Sequence, residues 1–131
     1  MQRRSFMQSL GGTLILASHL FRGRSANAAT RRVLLQESPL AGYQYHRAEC
    51  LRSFLSVGSE LRLQREHFNP HDPHAIAVWF KGDKLGYVPR RENRTLAQIM
   101  DRGERLEARI VRLLDDPNPW RRVRFRVEMA V

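Results

Sequence analysis

The stretch Gln64-Arg65-Glu66-His67-Phe68-Asn69-Pro70-His71-Asp72-Pro73-His74-Ala75-Ile76-Ala77-Val78-Trp79-Phe80 joins one strand-like segment to another through a turn punctuated by prolines. From His74 onward the chain is β-rich. Ile76, Val78 and Phe80 share one side of the pleat and Ala75, Ala77 and Trp79 the other, because successive Cβ atoms point to opposite faces. Just upstream, Leu61 and Leu63 alternate with Arg62 and Gln64, the pattern of a half-buried strand. Downstream, Gly82-Asp83 stands where a two-residue hairpin turn is expected, Leu85-Gly86-Tyr87-Val88 returns, and Pro89 closes the strand. Between the strands, Asn69-Pro70 and Asp72-Pro73 predict a stiff double turn, since proline fixes φ and short polar side chains bond the backbone two residues on. Such a turn holds Asp72 in place, to cap loop N–H groups or to accept a hydrogen bond from a sugar hydroxyl or a base edge.

Working outward, Arg32 to Glu37 reads as a strand stopped by Ser38-Pro39, and Ala41 to His46 as a second extended stretch. Ala48 to Leu55 stays ambiguous: Leu51, Phe54 and Leu55 fit one helical turn, which Val57-Gly58 ends quickly. The best-marked helix has Asn93 as N-cap, Leu96, Ile99 and Met100 on one face, and Gly103 as left-handed stop. Two long strands follow. Leu106, Ala108 and Ile110 alternate with Glu107 and Arg109; Val123, Phe125, Val127 and Met129 alternate with Arg122, Arg124, Arg126 and Glu128. Asp115 to Pro119 makes the connecting turn. About six antiparallel strands, one or two short helices and no βαβ rhythm predict a mainly β fold, a small barrel of oligonucleotide-binding type.

The chain has 131 residues, one domain's worth, with 42% apolar and 27% charged residues, a globular composition. Its 23 basic residues outnumber 13 acidic ones, a net charge of +10 that suggests an anionic partner. A single cysteine, Cys50, excludes an intramolecular disulfide framework and a four-cysteine zinc site. Residues 1–28 read as a signal peptide. Arg3-Arg4 precede Phe6-Met7 and an apolar run from Leu10 to Phe21, and Ala26-Asn27-Ala28 offers a small-x-small cleavage site after Ala28. The arginine pair resembles a twin-arginine signal, which carries folded proteins across a bacterial inner membrane and predicts a periplasmic location. A start codon placed too far upstream, or a basic tail, would instead leave the protein in the cytoplasm. The glycine-diluted run falls short of the ~20 apolar residues of a spanning helix, so no lasting membrane insertion is expected. Residues 1–28 hold four arginines and no acids, which leaves 19 basic and 13 acidic residues, or +6, on the predicted domain of residues 29–131.

Asn-Pro-x-Asp-x-x-Ala-Ile (69–76) and Leu-Gly-Tyr-Val-Pro-Arg (85–90), with Ser38-Pro39-Leu40-Ala41-Gly42 before them and the helix from Thr95 to Gly103 after, resemble the HIRAN domain family over about residues 32–130. The resemblance implies a modified oligonucleotide-binding-type β-barrel, found alone in bacteria or fused to Swi/Snf-type ATPases in eukaryotes, where it binds single-stranded DNA at the 3′ end. By the same resemblance, Tyr45 matches an aromatic position on which the terminal base stacks, and Asp72 the acidic position that holds the terminal 3′-hydroxyl. His71 occupies a place where an aromatic is common, and Tyr87 falls beside the phosphate-facing position. Gln44 stands where end-binding members carry a basic residue, so that phosphate contact is missing. Arg65, Arg90, Arg91 and Arg94 are available as replacement charge around the loop. The expected partner is single-stranded nucleic acid or another polyanion, with no cofactor.

Two other classes compete. His67, His71 and His74 crowd one loop, and neutral imidazole is a ligand for zinc or copper, with Cys50 as a further candidate. The run crosses Pro70 and Pro73, so helical spacing cannot align the rings. An enzyme is the weakest class. The sequence has no Gly-x-Ser-x-Gly, Walker-type or His-Glu-x-x-His motif, and Cys50 has no placed base. The arginine row Arg122, Arg124 and Arg126 reads as a solvated outer face rather than a nucleic-acid track.

Overall fold

A computed structural model describes residues 31–131. The predicted signal and its cleavage site after Ala28 lie outside the described residues. Strands β1 (Arg32–Pro39), β2 (Glu60–Arg65), β3 (Ile76–Phe80), β4 (Asp83–Tyr87), β5 (Leu106–Leu113) and β6 (Val123–Ala130) form one sheet in the order β1-β6-β5-β2-β3-β4, antiparallel at every pairing. The fold is mainly β, as the alternation predicts. Among the described residues no helix is long and apolar enough to cross a membrane.

Two features bend the sheet into a barrel. Strand β2 changes partner along its length: Glu60 and Leu61 pair with β5, whereas Arg62 to Arg65 pair with β3. A strand shared in this way makes the corner between two sheet halves. At the other side the chain just past β1 reaches β4. Leu40 N–H still bonds β6 at the Val123 carbonyl (3.0 Å), and the next residue, Ala41, exchanges two bonds with Tyr87, each 2.9 Å. That bridge brings the two outer strands of the sheet together. It also explains the glycine of the Leu-Gly-Tyr-Val motif, because a Cβ on Gly86 would collide with the Ala41 carbonyl oxygen and press on Leu40.

Inside the barrel Leu40, Tyr43, Ile76, Val78, Leu85, Val88, Leu96, Ile110, Phe125 and Val127 form the core. Ala75 and Ala77 are buried too, so β3 is covered on both faces, as a strand in the middle of the fold must be. The helix α2 (Arg94–Asp101) lies where its spacing predicts and buries Leu96 and Ala97. It ends with Gly103 at φ 93°, whose N–H bonds Met100 while Glu104 N–H reaches Ile99. Ala48 to Leu55 resolves into one short helix, α1 (Ala48–Leu51), and a 3-10 turn, Arg52–Phe54. Leu55 turns inward from it and Phe54 stays exposed.

Three expectations change. Ala41 to His46 is not a strand: Gly42 takes φ 74°, and Tyr43–Tyr45 form a 3-10 turn. With three residues per turn, neighbours two apart point in different directions, so Tyr43 is buried in the core while Tyr45 faces solvent. The hairpin turn is Lys81-Gly82, one residue earlier than expected, since Phe80 pairs with Asp83; the left-handed φ of 53° falls on Lys81. Asn93 precedes α2, but its side chain does not cap the helix. It is only 1% exposed and is spent elsewhere.

Candidate nucleic-acid interface

The loop between β2 and β3 is held by its own side chains. Asn69 Oδ1 accepts hydrogen bonds from His71 N–H (2.9 Å) and Asp72 N–H (3.1 Å). Asp72 Oδ1 accepts from His74 N–H (2.9 Å), and Asp72 Oδ2 from the buried Asn93 Nδ2 (2.7 Å). Asn93 therefore ties the loop to the start of α2, which is why it is lost as a cap. The carboxylate is half-buried and each oxygen has one donor in place; an ionised carboxylate oxygen can accept a further one. The stiff double turn inferred from the two prolines is borne out, with asparagine and aspartate as its internal braces.

Asn69 also donates through Nδ2 to Glu66 Oε1 (3.1 Å), the same oxygen that accepts a hydrogen bond from the Tyr87 hydroxyl (2.8 Å). Lys84 Nζ lies 2.6 Å from Glu66 Oε2 and 3.1 Å from the Tyr87 hydroxyl. The Tyr87 ring in turn meets His46 edge-on, with centroids 5.5 Å apart, and His46 follows Tyr45. A continuous chain of contacts thus runs from Asp72 through Asn69, Glu66 and Tyr87 to His46, and the residue before His46 is Tyr45, which projects 77% exposed. Tyr45, Tyr87, His71 and Asp72 share one framework, and Gln44 is exposed beside Tyr45.

Burial pushes the Glu66 carboxyl up, but hydrogen bonds from Lys84, Asn69 and Tyr87 outweigh it and leave it below its ordinary value. Burial likewise opposes the Lys84 charge, which Glu66 and Tyr87 restore, so its ammonium sits above its ordinary value. His46 moves down, through burial and then through the charge of Lys84. A carboxyl depressed by folding contributes stability that is present above the unfolded value, here 4.5, and is lost as pH falls through the depressed folded one. Acidification below that value is therefore expected to lower the melting midpoint of the parent more steeply than that of Glu66→Gln, measured by circular dichroism at several pH values. Parallel acid limbs would show that Glu66 contributes nothing through its charge.

The basic candidates divide. Arg65 is not available to a ligand: its side chain is 8% exposed and is bonded to Asp101 through Nε (2.9 Å) and a terminal nitrogen (3.2 Å). It also donates to the carbonyls of Ala75 (2.7 Å) and Pro73 (3.1 Å). Arg90 and Arg91 are exposed on the 3-10 turn Arg90–Glu92. They line an open cleft of about 770 Å³ with Pro39, Pro89 and Trp120. The arginine row that leads into and along β6 is ion-paired, Arg122 just before the strand with Glu49 (3.2 Å), Arg124 with Glu37 (3.6 Å) and Arg126 with Glu128 (3.0 Å), in keeping with an outer face.

The three histidines of the loop do not converge. His67 has its ring nitrogens near Arg65 (3.4 Å) and Asp101 (3.7 Å), and His71 is exposed. Among the described residues no group of three His, Cys, Asp or Glu side chains is placed to hold a metal ion. Cys50 is exposed on α1.

Several residues of the interface are not assigned to it from sequence, where Asn93 reads as a helix cap. Glu66, Lys84 and Asn93 form its frame, Phe68 stands 99% exposed in the loop, and Trp120, 48% exposed, walls the arginine cleft. The asparagine and proline spacing pointed to the loop, but nothing in the sequence pairs Asn93 or Lys84 with it.

The model of the HIRAN domain matches residues 33–131. The chain belongs to the HIRAN domain family. HIRAN is a binding domain of the nucleic-acid-binding class, generally without catalysis of its own. A crystal structure of a protein from Lactobacillus plantarum is similar at 30% identity and TM-score 0.69, over 78% of this chain and 98% of that one. The HIRAN domain of human HLTF superposes with TM-score 0.55 at 21% identity, over 76% of this chain and 77% of that one, a likeness of fold. No curated protein sequence matches this chain.

Proposed function

We propose that this HIRAN domain binds single-stranded DNA at its 3′ end and carries out no chemistry. The observation that carries the reading is the exposed Tyr45, next in the chain to His46, whose ring meets Tyr87 of the hydrogen-bonded network that also holds Asp72. The terminal base stacks on Tyr45, and the terminal hydroxyl donates to the Asp72 carboxylate. Backbone phosphates lie toward Tyr87 and toward Arg90 and Arg91, which compensate for the neutral Gln44. A duplex end offers this surface less, because its last base is already stacked and paired.

Tyr45→Ala is expected to weaken a short single strand by ~1–3 kcal/mol, the range for one base–aromatic stack. It leaves the fold intact, since the side chain is exposed. Fluorescence anisotropy with strands ending in a 3′-hydroxyl or a 3′-phosphate, and with blunt duplex, measures this. Equal, weak and fully salt-sensitive binding by parent and variant would mean nonspecific charge attraction.

We also propose that residues 1–28 direct export and are removed after Ala28, which places the domain in the periplasm. Electrospray mass spectrometry of the protein from its native host is then expected to show a chain beginning at Ala29. A mass that includes Met1 would return the protein to the cytoplasm.

A further inference from the structure

The loop occupies one end of the β2–β3–β4 array, and the Lys81-Gly82 hairpin the other. Between them runs β3, five residues or ~17 Å long. At the hairpin end lies a second cleft, of about 460 Å³, floored by Leu61, Phe80 and Leu106. Arg62, Lys81 and Arg105 stand around it, all exposed, and none forms an ion pair among the described residues. Glu60 and Glu107 also border the cleft, but each is already matched, Glu60 by Arg109 (3.2 Å) and Glu107 by Arg32 (3.3 Å). The surplus charge therefore rests on Arg62, Lys81 and Arg105, above an apolar floor that strengthens attraction for an anion.

The two ends are connected along β2. Its outward side chains, Arg62 and Gln64, are exposed, while the alternating Leu61 and Leu63 are buried. A strand leaving the loop can follow this face directly into the cleft. The row on β6 offers no equivalent path, because its arginines are paired.

We infer that the cleft of Arg62, Lys81 and Arg105 is a second anion site, which takes the phosphodiester backbone of the same single strand several nucleotides from the end held at the loop. This rests on the single-strand reading of the loop. It gives the domain a footprint longer than the terminal nucleotides.

The test compares two oligothymidines, one of ~4 nucleotides and one of ~16, the two ends of the range of site sizes for folds of this kind. The protein is either the parent chain or the Arg62→Ala/Arg105→Ala double variant, followed by anisotropy over a series of salt concentrations. The parent is expected to bind the longer strand more tightly. The double variant is expected to lose at least tenfold on the longer strand and nothing on the shorter, and its salt slope on the longer strand to fall by ~1.4, or ~0.7 for each phosphate contact removed. Equal affinity of the parent for both lengths, or equal loss on both, would overturn the second site while leaving the loop reading in place. No binding of the parent to either length would remove the single-strand reading, and this inference with it.

Discussion

Gly86→Ala is expected to lower the stability of the domain by ~3 kcal/mol, at the top of the range for forcing one methyl group into a packed position. Gly86 lies on β4 where the Ala41–Tyr87 bridge crosses, and its absent side chain lets the Ala41 carbonyl oxygen sit against the backbone. A methyl group there meets backbone, which cannot rotate aside as a side-chain tip can. The chain must either spread the bridge, giving up two 2.9 Å hydrogen bonds, or shift Leu40 out of the core. At ~4–8 °C per kcal/mol for a domain of about this size, the thermal midpoint drops by roughly 12–24 °C. Circular dichroism measures the shift, and amide exchange at Ala41 and Tyr87 should rise with it. A midpoint equal to that of the parent would mean that the two outer strands are not held this closely in solution.

Arg65→Ala is expected to cost nearly as much, ~2–3 kcal/mol, and to leave the electrostatics of binding unchanged. Four hydrogen bonds to Asp101, Ala75 and Pro73 join the end of β2 to the loop and to the last residue of α2. Its removal takes a charged donor from the Ala75 and Pro73 carbonyls, where one such bond is worth ~1.5–3 kcal/mol. The Ala75 carbonyl keeps the Glu66 N–H (2.9 Å) and the exposed Pro73 regains water, which holds the loss near that of a single bond. Asp101 is partly exposed and regains water, so its share is small. Had Arg65 been a phosphate contact, its loss would lower the salt slope by ~0.7 for single-stranded DNA. Urea unfolding together with the salt dependence of binding separates the two roles. A lowered slope with unchanged stability would return Arg65 to the interface, beside Arg90 and Arg91.

Arg65 also shows where sequence reading stops. An arginine beside a histidine-rich loop reads the same whether it faces solvent or Asp101, and Asp101 lies 36 residues further on. The alternation of β3, β5 and β6 was legible because burial of one face imposes a period of two, and the helix because its apolar spacing and glycine stop agree. The double turn was legible because asparagine, aspartate and proline act on their immediate neighbours. The turn at Tyr43–Tyr45 was not, since one left-handed glycine converts an apparent strand into a reversal and sends two tyrosines in different directions. The division of β2 between two partners was equally hidden, because alternation fixes which face is buried but not which strand lies alongside.

The pairing of β1 with β6 has a consequence for how such a domain is deployed. Arg32 lies opposite Ala130, and the Val131 N–H bonds the Arg31 carbonyl at 2.9 Å, so the described segment enters and leaves at a single point. A host protein can accept such a unit as a cassette in one surface loop, without stretching its own backbone. Synthesis meets the opposite condition. Because β6 lies between β1 and β5, the first strand to leave the ribosome waits for the last before it has a strand partner. Strands β2 to β5 can pair as they emerge, but the sheet is complete only when nearly the whole domain has been made.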